Sequence, residues 1–462
     1  MLHYFYARSM RNNGFKGWSL LFLGLALLSA CGDEEGTPIA SSTEPQPAPA
    51  DLVTVESFET LAQFHLGDSK PSVRIALKRY VHPQALVPER EPLILLPGAT
   101  QNHLIFDIHP DYSLARTLAN EGYEVWLVDW RGRGDSWKGV AEKEGDPACR
   151  DVKEVFLREG CWSIDDFIHK DLPAVLQFVR DFTQAEHAIL VGYSEGGTVA
   201  LGYLGYVATL RANPEKAIQD LATHYQDGFI SGMIGLAPAL VVGEMDVDQS
   251  YADFPLQKLI TWASQNFVEN RFLLALAPND VYLPFENLLN QFTLKLMDLA
   301  LIPQGEDKIT IEQAFLEKFL WSPTNIDPEV ADAILLKNVE GMTAGELRQF
   351  GYGADPELEN PGMQSLEDSD FTQANGGVQF HYLNALSAIT LPVLFVVGDQ
   401  DGVVSPINVE LQYNQLPEGI DKWLEPAIPE TGHVDLPTGL NAKTEVYPLI
   451  LDWLSQHTLG YL

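Results

Sequence analysis

The heptapeptide Val191-Gly192-Tyr193-Ser194-Glu195-Gly196-Gly197 closes an apolar, strand-like run from Ala188 to Gly192 and opens a helix-period segment from Thr198 to Val207. A G-x-S-x-G turn in that setting sends the chain from strand to helix so abruptly that the Ser is held in a strained conformation. Side chains larger than Gly at 192 and 196 would clash where strand and helix approach. Only a strand with a helix packed directly on it accommodates such a turn, which commits this part of the chain to a layered α/β arrangement.

The rest of the body agrees. Short β-branched apolar runs at Val73 to Tyr80, Leu93 to Leu96, Glu124 to Val128, Ile230 to Leu236 and Val393 to Val397 alternate with helical patterns such as Ser113 to Asn120 and Asp166 to Phe182. This alternation predicts a mostly parallel sheet flanked by helices. The chain shows no internal repeat. With 46% apolar residues it can bury a large core, and 29 Lys plus Arg against 64 Asp plus Glu leave a net charge of −35 that repels phosphate backbones, so nucleic acid is excluded as a partner.

The alternation breaks between about Val241 and Ile389. There the chain reads as helical and aromatic, with Trp262, Phe267, Phe272, Phe292, Phe315, Phe319 and Trp321. The predicted organisation is a core over residues 52–240 and 389–462 with a helical cap over 241–388, laid across the carboxyl ends of the strands where open α/β sheets bind ligands. Most of these aromatics are expected to pack the cap's own interior.

Residues 1–30 carry Arg8, Arg11 and Lys16 but no acid, followed by an apolar run from Trp18 to Leu28 that is too short to span a bilayer. The run closes with Leu28-Ser29-Ala30-Cys31, which resembles a bacterial lipobox. The expectation is a signal peptide over 1–30, lipidation of Cys31 and a flexible Glu-, Pro-, Ser- and Ala-rich tether over 31–51, placing an exported protein on a membrane of the bacterial envelope. Each acyl methylene contributes about 0.8 kcal/mol to such anchoring, so no basic patch is needed. The remaining cysteines, Cys149 and Cys161, are expected to form a disulfide in an exported chain.

A serine hydroxyl needs a base, and the base an orienting carboxylate. At an elbow of this type the partners follow in the order Ser, acid, His. The buried strand Leu391 to Val397 runs into Gly398-Asp399-Gln400-Asp401, and Asp401 is the expected acid with Asp399 its competitor. Of eleven histidines only His433 and His457 lie beyond it. His457 falls in the final helical pattern, so His433, in the loop Thr431-Gly432-His433-Val434-Asp435, is the expected base. His103 and His109 read as loop residues. Oxyanion donors are expected at the amides of Glu195 and, in the loop after Leu93 to Leu96, of Ala99. No metal or other cofactor is called for: neither cysteine belongs to a Cys-x-x-Cys pair, and Val403 occupies the fifth position that a calcium loop starting at Asp399 would give to an oxygen ligand.

These residues resemble the α/β-hydrolase superfamily. Gly122-Tyr-Glu-Val-Trp126 with Arg131-Gly132, and His433-Val-Asp435-Leu-Pro-Thr-Gly439-Leu-Asn-Ala442 with Val446-Tyr447, are similar to motifs of its acid-lipase branch. The resemblance spans roughly Ser72 to Leu462 and implies cleavage of small-molecule or lipid esters. The chain departs from that branch at Pro97, where His is usual, and at Tyr193 and Glu195, which flank the Ser in place of His and Gln. Pro110-Asp-Tyr-Ser-Leu-Ala-Arg116 and Ser194-Glu-Gly-Gly-Thr198 are also similar to polyhydroxyalkanoate synthases, which normally use a Cys nucleophile. The competing expectations are therefore an acyltransferase or polyester-active relative and, from another class, a lipoprotein that binds a ligand without turnover.

Overall fold

The computed structural model describes residues 52–136, 162–242, 320–338, 343–354 and 362–458. Cys31, Cys149, Cys161, the signal and tether segments and the aromatics from Trp262 to Phe319 lie outside the described residues. Eight strands form one sheet: β1 (Thr54–Ala62), β2 (Val73–Val81), β3 (Leu93–Leu96), β4 (Val125–Asp129), β5 (Ala188–Tyr193), β6 (Ile230–Leu236), β7 (Val393–Val396) and β8 (Lys422–Leu424). Their order is β1-β2-β4-β3-β5-β6-β7-β8, with β1 and β2 antiparallel to their neighbours and the rest parallel.

The centre of the sheet is buried on both faces, and β3, β4 and β5 are accordingly continuous apolar runs rather than alternating ones. The helices that cover it include α1 (Leu114–Asn120), α2 (Leu172–Thr183), α3 (Glu195–Ala212), α4 (Ala344–Ala354), α5 (Pro406–Gln415) and α6 (Tyr447–His457). α1 starts where the Ser113 hydroxyl accepts the Arg116 N–H, and α5 starts at a Ser405/Asn408 capping box followed by Pro406. α3 is buried along most of its length. Gly202 lets it approach Ile168 and Tyr382, and Gly205 lets it approach Ala385, which lies in the inserted segment.

Two expectations need correction at the sheet edges. β1 and β8 were not among the expected strands. β1 has one exposed face, carrying Val55, Ser57, Glu59 and Leu61, while on the other Phe58 packs on Trp126, Phe178 and Phe182. β8 is three half-buried residues long. Neither carries the apolar run of a central strand.

The loop after β4 is fixed by charge. Arg131, nearly inaccessible, donates from Nη2 to Asp171 Oδ1 at 2.6 Å and to the Gln63 carbonyl at 2.9 Å. Removing one partner of such a buried pair costs about 3–5 kcal/mol, because the other charge is stranded. The described parts of the insertion are mainly helical and are tied to the core: Asn102 Nδ2 donates to the Lys337 carbonyl at 2.9 Å, and the Met363 N–H to the Leu240 carbonyl at 3.1 Å.

Candidate active site

Ser194 stands between β5 and α3 with φ 53° and ψ −118°, a region that a residue with a Cβ seldom occupies and that costs about 1–3 kcal/mol. The turn is pinned on both sides. The Ser194 N–H donates to the Leu236 carbonyl of β6 at 2.9 Å, and the Ser194 carbonyl accepts from Thr198 at 3.0 Å. A Cβ at Gly192 would lie 2.6 Å from the Gly196 carbonyl oxygen, and one at Gly196 would collide with the Leu96 carbonyl, so both glycines are demanded by close approach.

β7 leads into the turn that carries Asp401, and β8 into the loop that carries His433. The buried Asp401 carboxylate divides its work. Oδ1 accepts the N–H groups of Val403 and Val404 at 2.9 and 2.8 Å, and Oδ2 lies 2.7 Å from His433 Nδ1. His433 Nε2 lies 2.9 Å from Ser194 Oγ. With its proton on Nδ1, donated to Asp401, the imidazole presents an Nε2 lone pair to the Ser194 hydroxyl. Asp399, the competing acid, is exposed, and its Oδ1 accepts the Thr431 N–H at 3.3 Å. The structure brings Asp401, not Asp399, to His433.

The other histidines are held elsewhere. His103 Nδ1 lies 2.9 Å from the Asp129 carboxylate at the end of β4, His109 is bridged to Tyr112, and His457 stacks on Trp453 with Nε2 3.0 Å from Asp421.

The residues expected to supply the oxyanion donors flank the nucleophile, in the chain or beside it. Glu195 is the first residue of α3, so its amide has no acceptor within the helix. Across from it, a Cβ on Gly98 would sit 3.1 Å from Ser194 Cβ, which places the backbone leading into Ala99 against the nucleophile.

Three buried charged residues surround this centre: Asp435, which the sequence reading names in a motif without a role, and Arg133 and Glu346, which it does not name. Asp435 Oδ2 accepts the N–H groups of Gly432 and Ser322 at 2.8 and 2.7 Å, and burial, with the charge of Asp401, pushes its carboxyl up to about 7 against those two donors. Arg133, fully inaccessible, donates from Nη1 to Glu195 Oε2 at 2.5 Å and to the Gly98 carbonyl at 3.3 Å, and from Nη2 to Glu346 Oε1 on α4. Burial raises both carboxyls despite the guanidinium, that of Glu346 to about 8. The one sequence signal of this network was Glu195 itself, a charged residue where the resemblance expects Gln.

Residues 91–216 match the family model for the alpha/beta hydrolase fold. Among curated proteins, the chain is 25% identical to human Lipase member K over 348 residues, covering 73% of this chain and 72% of that one. It is 22% identical over 368 residues to the Poly(3-hydroxyalkanoate) polymerase subunit PhaC of Haloferax mediterranei, covering 79% of this chain and 59% of the polymerase subunit. Among solved structures, that of a candidate lipase from Sulfolobus solfataricus superposes with a TM-score of 0.51 at 16% identity, covering 88% of this chain and 95% of the other. That likeness is one of fold.

Proposed function

We propose that the chain, which is similar to lipases and matches the alpha/beta hydrolase fold over residues 91–216, cleaves carboxylic esters with an apolar acyl part through an acyl-enzyme on Ser194, while held at a membrane by lipid on Cys31. The observation that carries the catalytic reading is the pair of hydrogen bonds from Asp401 through His433 to Ser194, 2.7 and 2.9 Å long. Ser194 Oγ attacks the ester carbonyl carbon while its proton passes to His433 Nε2, and Asp401 stabilises the imidazolium without taking the proton. The carbonyl oxygen becomes an oxyanion facing the amides of Glu195 and Ala99, each worth about 3 kcal/mol in the transition state. The C–O bond to the alcohol then breaks, and His433 returns the proton to the leaving oxygen. A water, deprotonated by His433, cleaves the acyl-enzyme in the second half.

Ester cleavage needs only these groups, whereas residues 241–388 add an aromatic-rich segment, which we assign as a cap that holds the acyl chain. Two further methylenes buried against it contribute about 1.6 kcal/mol, a little over tenfold in kcat/KM if the contact persists in the transition state. Kinetics of detergent-extracted protein on p-nitrophenyl esters from acetate to octanoate are expected to rise accordingly. A strict preference for acetate would refute the apolar acyl site. The likeness to a polyester polymerase subunit supports a second reading, acyl transfer to an alcohol, which product analysis with an alcohol acceptor beside water separates.

Anchoring rests on the Leu28-Ser29-Ala30-Cys31 motif and the tether after it. The expected result is an intact mass of membrane-extracted protein matching a chain that begins at an acylated Cys31. A mature amino terminus at any other residue would remove the anchor.

A further inference from the structure

We infer that Arg133 is the positioning residue of the oxyanion hole, holding the Gly98–Ala99 peptide unit of one donor amide and the side chain of Glu195, whose backbone gives the other, on one guanidinium, and that Glu346 makes this hold depend on the inserted segment. The inference rests on the assignment of Ala99 and Glu195 as oxyanion donors. A peptide unit is planar, so the carbonyl of Gly98 and the N–H of Ala99 move as one rigid group. Arg133 Nη1 donates to that carbonyl at 3.3 Å, and the Gln101 N–H donates to it as well at 3.3 Å, which fixes the plane from which the Ala99 N–H projects. The same Nη1 donates to Glu195 Oε2 at 2.5 Å, and Glu195 supplies the other amide. One nitrogen thus ties the loop that carries Ala99 to the side chain of the residue that opens α3.

The guanidinium is itself held from three sides. Nη2 donates to Glu346 Oε1, and the carbon of the guanidinium lies 5.4 Å from the centre of the Phe167 ring. Glu346 belongs to the first turn of α4, where the Thr343 N–H donates back to the Glu346 carboxylate and the Glu346 N–H donates to the Thr343 hydroxyl at 3.1 Å. The Thr343 hydroxyl in turn donates to the Trp162 carbonyl at 2.6 Å, anchoring the turn to the core. A planar fork serves this geometry and an ammonium does not, because Gly98, Glu195 and Glu346 must be reached in fixed directions at once.

The test compares Arg133→Lys, Glu346→Ala and Glu346→Gln in the full-length, detergent-extracted protein, using a p-nitrophenyl ester for kcat and KM and an alkyl trifluoromethyl ketone as probe. Ser194 Oγ adds to the ketone carbon, its proton goes to His433, and the ketone oxygen remains as an alkoxide in the hole, so affinity for the ketone reads the donors directly. Arg133→Lys is expected to lower kcat about 100-fold with KM within about twofold, and to weaken the ketone by a similar factor. Glu346→Ala is expected to lower both about tenfold, and Glu346→Gln, whose single carbonyl oxygen can take the Nη2 bond but leaves its NH2 facing the Thr343 N–H, to recover them in part, to a smaller loss than Ala. Wild-type kcat in a folded Arg133→Lys protein overturns the inference, as does a fall in kcat with unchanged ketone affinity. Should Arg133→Lys fail to fold, Glu346→Ala decides: a folded protein with wild-type kcat and ketone affinity overturns it. The underlying reading fails separately, if Ser194→Ala still turns over ester or the wild type does not.

Discussion

Ser194→Ala is expected to lower ester turnover by about 10⁶, as loss of the nucleophile does in a serine protease, while leaving the fold intact. The hydroxyl is the atom that bonds to the acyl carbon, and no other hydroxyl among the described residues is held against His433 Nε2. Ala also suits the site sterically, although it keeps the strained φ of 53° that Ser tolerates. His433→Ala is expected to be as damaging, because Ser194 then has no acceptor for its proton, and the double variant no worse than either single one. The three groups act as one device, so their losses do not add. Turnover of a p-nitrophenyl ester, read beside labelling by a fluorophosphonate that maps to Ser194 in the wild type, measures both effects. A folded single variant retaining more than about 10% of activity would remove the triad assignment.

Asp401→Asn is expected to cost about 10⁴ in turnover, and Asp399→Asn almost nothing. The size follows from the way Asp401 is satisfied. The N–H groups of Val403 and Val404 both point at Oδ1, so an Asn in this place must put its carbonyl oxygen there and turn its NH2 toward His433. An NH2 facing Nδ1 requires a lone pair on that nitrogen, which moves the imidazole proton to Nε2 and turns the general base into a donor toward Ser194. Asp399 touches only the Thr431 N–H from an exposed position. If Asp399→Asn proves the crippling change and Asp401→Asn the mild one, the orienting acid has been misassigned.

The central sheet was legible because β3, β4 and β5 are buried on both faces, and that burial leaves uninterrupted apolar runs in the sequence. The elbow was legible because its residues fall in one short motif: Gly192 is required by the turn's own Gly196 and Gly197, and Gly196 by the approach of Leu96 and Pro97. The chain order of acid and base narrowed the remaining partners to Asp399 or Asp401 and to His433, and three-dimensional placement chose between the two acids. β1 escaped because an edge strand wet on one side reads like a polar connector. Arg133 and Glu346 escaped for a different reason. They lie 213 residues apart, and in one dimension each is simply a charge, of the kind that usually faces solvent.

Trp321 and Ser322, near the middle of the inserted segment, are fastened to the loop that carries His433. The Ser322 N–H donates to Asp435, the Val434 N–H donates to the Leu320 carbonyl at 2.6 Å, and Gly432 is packed so tightly that a Cβ there would come within 2.7 Å of Trp321 Cα. These contacts grip both neighbours of His433. Swinging this stretch aside to make an opening would therefore take the general base out of register with Ser194, and the enzyme would be open and inert at the same time. Residues 320–322 thus form a fixed jamb beside His433.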